Sequence, residues 1–227
     1  MGSRTVVATF GEGCYFAGYD VALPTEYAYK SKSEGGIWEE GDLRRDESIR
    51  YDFTYLGITP TEVSWGADEL DPHIKKYEDE RTDQFNGNLA NEWYSGKNFI
   101  VLRYADVLLC YAECLNELGE TGQANTIVNQ VRARAWGGTL PNEMAWNYGQ
   151  DEFRTQIMNE RIRELCFEGW RRMDLIRTGK FVELIKERNS WAKKSGTIKD
   201  FHMRYPIPDT EIKNNDDISE EDQNPGY

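Results

Sequence analysis

The stretch from residue 100 to residue 118 constrains the fold of this chain more than any other part of the sequence. Its apolar residues recur at the spacing of one helical face: Val101, Tyr104, Ala105, Leu108, Tyr111, Ala112, Leu115 and Leu118. Further apolar residues lie on the other sides: Val107, Leu109, Cys110 and Cys114. A helix that is apolar nearly all round packs on more than one side, so the pattern predicts a central helix with both cysteines buried. Gly119 follows the last apolar residue and is expected to end the helix in the left-handed conformation.

More helices are predicted after this one. The second has an apolar stripe and ends at Gly137-Gly138; the stripe is Ala124, Ile127, Val128, Val131 and Ala135. Two helices joined by a few residues form an antiparallel hairpin, here of about tetratricopeptide repeat length. A third helix is predicted from Asp151, a further helix or turn over 170–178, and another helix over 181–195. The terminal Tyr227 is expected to dock onto the rest of the chain.

The first 97 residues show no sustained helical period. Short strands are predicted at Thr5–Phe10 and Ile49–Leu56, and a short helix near Thr25–Lys32. We therefore predict a mostly α fold: stacked, tetratricopeptide-like helical hairpins with long irregular loops and at most a few short strands. Residues 1–97 are predicted to be a loop-rich region of the same domain as the helical region 98–227.

Charge and motif content narrow the range of functions. The chain has 227 residues and a net charge of -13, which disfavours nucleic acid and anionic membranes but not a neutral ligand. No stretch is long enough to span a membrane, and the first residues do not have the pattern of a signal peptide. The four cysteines lack the spacing of a metal site or a disulfide framework. Neither a phosphate-binding loop nor a catalytic serine or zinc motif occurs, so no metal and no cofactor is predicted.

Four groups of residues form an idiosyncratic set of motifs, in this order. The first is Arg103-Tyr-Ala-Asp-Val-Leu-Leu109 with Tyr111-Ala-Glu113 and Asn116-Glu-Leu-Gly119. The second is Glu160-Arg161, Glu164-Leu165, Phe167-Glu-Gly169, Arg171 and Asp174-Leu-Ile-Arg-Thr-Gly-Lys180. The third is Tyr205-Pro-Ile-Pro208 with Glu211-Ile212, and the fourth is Gln223-Asn-Pro-Gly-Tyr227. Together they resemble the C-terminal half of the RagB/SusD family of glycan-binding outer-membrane lipoproteins.

That resemblance implies a function. It implies a non-catalytic protein that binds oligosaccharide or polysaccharide for nutrient capture at the outer membrane and delivers it to a SusC-like TonB-dependent transporter. It also implies a surface-exposed location, with membrane attachment through a lipid anchor in an N-terminal half that this chain does not include. The alternative is a protein-interaction scaffold that docks to the transporter or binds peptide-like cargo.

The second motif contains carboxylates at helical spacing. Glu160, Glu164 and Glu168 are four residues apart, and arginines lie nearby in the sequence: Arg161, Arg163, Arg171, Arg172 and Arg177. A pair of carboxylates facing each other across a sugar would suggest a glycosidase. Adjacent arginines would keep such carboxylates ionised and unsuited to general-acid catalysis. The pattern therefore favours a salt-bridge network that joins helices, extended by Asp174 and Arg177.

The candidate ligand-binding residues are aromatic side chains in the irregular connections: Trp38, Trp65, Trp93, Tyr94 and Trp146. A sugar presents an apolar face and a rim of hydroxyl groups, so it binds well to a flat ring with amides and carboxylates at its edge. Polar residues of this kind surround several of the candidates in the sequence. The alternative for each ring is a plug that packs onto the helices. The carbohydrate hypothesis requires exposed rings.

Overall fold

A computed structural model describes residues 8–10, 14–16, 23–51, 54–55, 71–77 and 97–227. The chain divides into two compact units, Met1–Arg171 and Arg172–Tyr227. The described residues are mostly helical, which confirms the predicted fold class. The division into residues 1–97 and 98–227, which rests on where the helical period begins, stays a prediction.

Nine α-helices lie in the described part of the chain: α1 Glu26–Tyr29, α2 Arg44–Ser48, α3 Tyr104–Glu117, α4 Thr121–Ala135, α5 Gln150–Glu164, α6 Arg171–Arg177, α7 Phe181–Arg188, α8 Ser190–Ser195 and α9 Asp209–Asn214. Short 3-10 helices occur at Lys32–Glu34, Asn142–Met144, Asp200–Met203 and Glu220–Asp222. The predicted helix over 181–195 is two helices, because Asn189 ends α7 and its side chain caps α8 by accepting a hydrogen bond from the Ala192 N–H.

The described strands are very short: β1 Ala8–Phe10, β2 Cys14–Phe16, β3 Ile49–Arg50, β4 Thr54–Tyr55 and β5 His73–Ile74. One antiparallel sheet has the order β2-β1-β4, and a second sheet pairs β3 with β5. This agrees with the prediction of a few short strands. The predicted strand Ile49–Leu56 is divided between β3 and β4.

The core of the first unit lies between α3, α4 and α5. Leu109, Ala112 and Leu115 of α3 are buried against apolar residues of the other two helices: Ala124, Val128, Val131, Phe153 and Ile157. Gly119 follows α3 at φ +84, as predicted, which allows α4 to return antiparallel after a three-residue connection. The hairpin α3–α4 is therefore built from local sequence signals and stabilised by one shared apolar core.

Only one side of α3 is buried, so the prediction that it packs on more than one side is wrong for the described structure. Tyr104, Val107, Tyr111 and Leu118 are exposed. Cys110 and Cys114 are also exposed free thiols, although their apolar surroundings in the sequence predicted burial. The apolar period does form a helix, but the positions of the neighbouring helices decide which of its apolar residues are buried.

The second unit confirms the predicted docking of the C-terminus. The Tyr227 hydroxyl donates a hydrogen bond to the Arg204 carbonyl at 2.9 Å, and its ring meets the Phe201 ring edge to face with centroids 5.0 Å apart. Gly226 has φ +101 and lies so close to Phe201 that a Cβ atom would be 2.4 Å from that ring. Only glycine fits at this position, because its backbone φ is positive and the Phe201 ring leaves no room for a Cβ atom.

Candidate functional site

The carboxylates of the second motif lie at the centre of a buried charged cluster in the first unit. Glu160 is fully buried and accepts hydrogen bonds from Arg44 Nη1 at 2.7 Å, Arg132 Nη1 at 3.0 Å and Arg163 Nη2 at 2.6 Å. Glu164, one turn further along α5, accepts from Arg44 Nη1 at 2.9 Å and also from Arg103 and Arg134. The cluster thus joins α2, α4 and α5 and the residue that precedes α3.

Glu168 extends the cluster beyond the end of α5. The Arg103 Nε donates to both Glu168 oxygens at 3.0 and 2.8 Å, and Lys76 also pairs with this carboxylate. Phe167 and Gly169, on either side of Glu168, adopt φ +63 and φ +88. The left-handed backbone conformation is unfavourable for phenylalanine, so the surrounding packing must hold this turn in place. The turn after α5 brings Glu168 to the cations of the cluster.

The electrostatics of the cluster oppose general-acid chemistry. Burial alone would raise the pKa of Glu160, but its three guanidinium partners outweigh burial and hold that pKa well below its ordinary value. The balance is the same at Glu164, whose pKa is lowered despite burial. Both side chains are therefore ionised in the folded protein and already saturated with donors. This arrangement fits the salt-bridge network predicted from the sequence, and it does not fit a proton donor to a leaving group. Arg177 Nη2 lies 2.9 Å from Asp174 Oδ1 within α6, and the extension of the network through these two residues stays a prediction.

Two of the candidate binding aromatics are core residues, so their predicted exposure is wrong. Trp38 is 1% exposed, and its indole N–H donates to the Ala28 carbonyl at 2.6 Å. It packs in a second apolar cluster with Ile37, Ile49 and Cys166. Sequence spacing does not show which segments cover the Trp38 ring, because the fold decides this. The remaining candidates, Trp65, Trp93 and Tyr94, lie outside the described residues.

Trp146 is also buried, with 4% of its surface exposed. The Asn129 side chain of α4 makes two hydrogen bonds to the Trp146 backbone, donating to its carbonyl at 3.1 Å and accepting from its N–H at 2.8 Å. Asn125 holds the Tyr148 backbone in the same way, at 2.9 and 3.2 Å. These amides dock the loop onto α4, and the Trp146 ring enters the core edge to face against Phe153. An asparagine every four residues on α4 was the sequence signal for this docking.

Other aromatic rings are exposed among the described residues, and the sequence analysis did not single them out as binding candidates: Phe99, Tyr104, Tyr111, Trp191, Tyr205 and Tyr227. In the second unit, Tyr205 has the best defined orientation. The Arg172 guanidinium lies 4.2 Å from the Tyr205 ring centroid and 4.6 Å from that of Phe181, and it donates to the His202 carbonyl at 2.7 Å. The stack fixes one face of Tyr205 while most of the side chain stays in solvent.

The described residues contain neither a membrane-spanning helix nor a cluster of metal ligands. No helix there combines the length and the hydrophobicity needed to cross a bilayer. Within the same residues, no group of three or more histidine, cysteine, aspartate or glutamate side chains is arranged to hold a metal ion.

The fold and the charged cluster define a helical-repeat protein whose motif residues stabilise its architecture. Comparison with known proteins identifies the family. Residues 18–227 match the sequence model of the SusD family, and the chain belongs to that family. The resemblance inferred from the four motifs is therefore confirmed.

Three relatives illustrate the match. The chain is 31% identical over 222 residues to SusD-like protein P2 of Formosa agariphila, which is 94% of this chain and 41% of that protein. It is 28% identical over 159 residues to the starch-binding protein SusD of Bacteroides thetaiotaomicron, 68% of this chain and 26% of that protein. It also superposes on a solved laminarin-binding SusD-like protein with a TM-score of 0.64 and 25% identity, over 100% of this chain and 43% of that one. The chain thus spans less than half the length of these relatives.

Proposed function

We propose that this chain is part of a non-catalytic protein that binds a neutral glycan. The observation that carries the proposal is membership of the SusD family over residues 18–227. Two relatives bind glycans by name, one starch and the other laminarin. Both are uncharged glucose polymers, and a chain with net charge -13 has no electrostatic barrier to such ligands.

The buried carboxylates support a binding role over a hydrolytic one. A glycosidase needs one carboxyl group that can donate a proton and a second that faces it across the sugar. Glu160 and Glu164 are instead enclosed by arginines, and their lowered pKa values keep them ionised. These carboxylates lack both the proton and the access to solvent that such a reaction requires.

The proposed binding residues are aromatic. Trp65, Trp93 and Tyr94 stay candidates from the sequence, and Tyr205 joins them because its ring is exposed and held by Arg172. The Asn224 side-chain amide donates to the Tyr205 backbone carbonyl at 2.8 Å, which helps to fix the backbone that carries this ring. A ring fixed in advance loses little conformational entropy when a sugar stacks on it.

The wider role follows from the family resemblance. We propose that the whole protein is anchored by lipid at the outer membrane surface and passes glycan to a SusC-like TonB-dependent transporter. The alternative is a scaffold that docks to the transporter or binds peptide-like cargo and has no affinity for sugars. The two roles differ in whether the purified protein binds glycan.

Affinity electrophoresis and calorimetry with laminarin and soluble starch test the proposal. We expect retardation in a gel that contains the bound glucan, and weaker retardation for Trp65→Ala, Trp93→Ala, Tyr94→Ala or Tyr205→Ala. Trp191→Ala, which removes another exposed ring, serves as the control. Absence of binding to both glucans and to a panel of other neutral glycans would favour the scaffold.

A reducing-sugar assay tests the absence of catalysis. We expect no new reducing ends when the protein is incubated with laminarin or starch. Release of reducing sugar that is abolished by Glu164→Gln would contradict the non-catalytic assignment and revive the glycosidase hypothesis.

A further inference from the structure

The segment from residue 177 to residue 199 is basic, although the whole chain is strongly acidic. It contains seven lysines and arginines and only two glutamates, whereas the chain has a net charge of -13. The segment forms α7 and α8, which pack against each other within the second unit, and the 3-10 helix Asp200–Met203 packs on α7. These elements therefore carry their positive charges on one small body.

Pairing within the segment leaves several lysines over. Lys180 Nζ lies 2.8 Å from Glu183 Oε2, and Arg188 Nε lies 3.6 Å from Glu187 Oε1, so each glutamate already has a cation beside it. Among the described residues, four exposed lysines have no ionic partner: Lys186, Lys193, Lys194 and Lys199. The exposed Asp200 next to Lys199 offsets only part of this charge. The unpaired ammonium groups create a positive potential over this part of the surface.

An exposed tryptophan lies among these lysines. Trp191 on α8 is 66% exposed, and Lys194 follows it by three residues, so the two side chains emerge on the same side of the helix. The neighbouring helix α7 buries Phe181 and leaves Lys186 in solvent. Tryptophan and lysine together are typical of helices at a membrane interface, where the indole lies at the level of the headgroups and the lysine stems extend toward phosphate.

Trp191 and the four unpaired lysines are here named the α7–α8 surface. We infer, on the basis of the membrane location proposed above, that the α7–α8 surface docks onto the phosphate headgroups of an anionic lipid bilayer. A lipid anchor holds a protein at one point and leaves its orientation free. A second contact through the α7–α8 surface fixes which face of the protein turns away from the membrane.

The acidity of the rest of the chain does not prevent this contact. At physiological ionic strength, exposed charges farther apart than about 8 Å are largely screened from each other. The face that touches the lipid therefore decides the sign of the interaction, and the net charge of the whole chain does not. Each lysine near an anionic bilayer strengthens binding about fivefold. Four unpaired lysines are thus enough for binding that can be measured.

A fixed site for an acidic sugar is a poorer fit to the same surface. Recognition of a single carboxylate or sulfate group favours arginine, whose planar guanidinium donates two parallel hydrogen bonds. The unpaired cations of the α7–α8 surface are all lysines, on flexible stems with no ionic partner to orient them among the described residues. Such groups suit a fluid array of headgroups, which demands no defined geometry.

Co-sedimentation with lipid vesicles tests the inference. The probes are vesicles of phosphatidylglycerol mixed with phosphatidylcholine and vesicles of phosphatidylcholine alone, and circular dichroism confirms that the chain is folded. We expect the chain to bind the anionic vesicles only, and the binding to weaken as salt is added. Absence of binding to the anionic vesicles at low salt, or equal binding to both kinds, would show that the inference is wrong.

Two double variants of equal net charge separate the surface from the overall charge. Lys193→Gln with Lys194→Gln removes two charges from α8, and Lys32→Gln with Lys213→Gln removes two exposed charges elsewhere. We expect the α8 double variant to bind anionic vesicles at least about tenfold more weakly, and the control double variant to lose less than about twofold. Equal losses in the two proteins would contradict docking through this surface.

Two further measurements keep the alternatives apart. Retention by polygalacturonate that is lost in the α8 double variant, without any binding to vesicles, would assign the surface to an acidic glycan and overturn the membrane contact. Retention by laminarin and starch is measured on the same proteins, and the α8 double variant is expected to keep it. Vesicle binding can therefore fail while glucan binding stands, and glucan binding can fail while vesicle binding stands.

Discussion

Arg44 and Glu160 are 116 positions apart in the sequence, yet Arg44 Nη1 lies 2.7 Å from Glu160 Oε1 inside the protein. Arg44 also reaches Glu164 at 2.9 Å and Asp42 at 2.7 Å, so one guanidinium connects the loop-rich region to α5. Isolated charges would be costly to bury, and the arrangement is tolerable because each carboxylate has several donors. The motif carboxylates therefore serve as structural connections.

Glu160→Gln should destabilise the protein strongly. It preserves the shape of the side chain but removes the buried negative charge that Arg44, Arg132 and Arg163 share, and breaking a buried pair typically costs about 3–5 kcal/mol. Chemical denaturation monitored by circular dichroism measures the change in the free energy of unfolding. The matched control is Glu117→Gln, which breaks an exposed pair with Arg154 and should leave the midpoint nearly unchanged. Similar midpoints for both variants would contradict a structural role for the cluster.

Stability should fall in acid. The pKa values of Glu160 and Glu164 are lower in the folded protein than their ordinary value of 4.5. The unfolded state therefore binds more protons as the pH drops, so this stabilisation is complete above about pH 4.5 and is lost progressively below it. Thermal melts from pH 7 to pH 3 measure the dependence. Stability that stays constant over this range would show that the carboxylates are not held ionised by folding.

Trp38→Ala and Trp146→Ala should lower the free energy of unfolding. Each removes a buried indole, and truncation of a core tryptophan costs about 3–5 kcal/mol. Denaturant unfolding is expected to show this loss, while the folded fraction keeps its affinity for glycan. Trp65→Ala and Trp93→Ala should show the reverse, with weaker retention by glucan and an unchanged unfolding midpoint. Loss of glycan affinity in folded Trp38→Phe would instead assign that ring to the ligand.

Gly226→Ala should loosen the C-terminus of the second unit. The new Cβ would lie 2.4 Å from the Phe201 ring at a backbone φ of +101, and overpacking of this kind costs about 1–3 kcal/mol. Gly196→Ala is the control, since Gly196 has φ +61 but nothing within 4 Å of the added atom. Limited proteolysis should cut near Tyr227 sooner in the first variant than in the second. Equal cleavage rates would show that the contact with Phe201 does not hold the terminus.

Several features could be predicted from the sequence because they depend on neighbours in the chain. The apolar periods of α3 and α4 and the glycine after α3 located the helical hairpin to within a few residues. The motif carboxylates and arginines predicted a salt-bridge network, and their spacing on one helix side indicated which acids share it. The partners Arg44, Arg103 and Lys76 could not be predicted, because they lie between 61 and 120 positions away from the glutamates they contact.

The order of the residues is enough to predict helices α3, α4 and α5, the family and the acidic character of the chain, because periodicity, motif order and charge are properties of residue order. Which side chains meet water depends on the packing of distant segments. Trp38 and Trp146 resemble loop aromatics in the sequence but are buried, whereas Tyr111 and Leu118 resemble core residues but are exposed. Burial of a side chain depends on which distant segments pack over it, and that information is absent from local spacing.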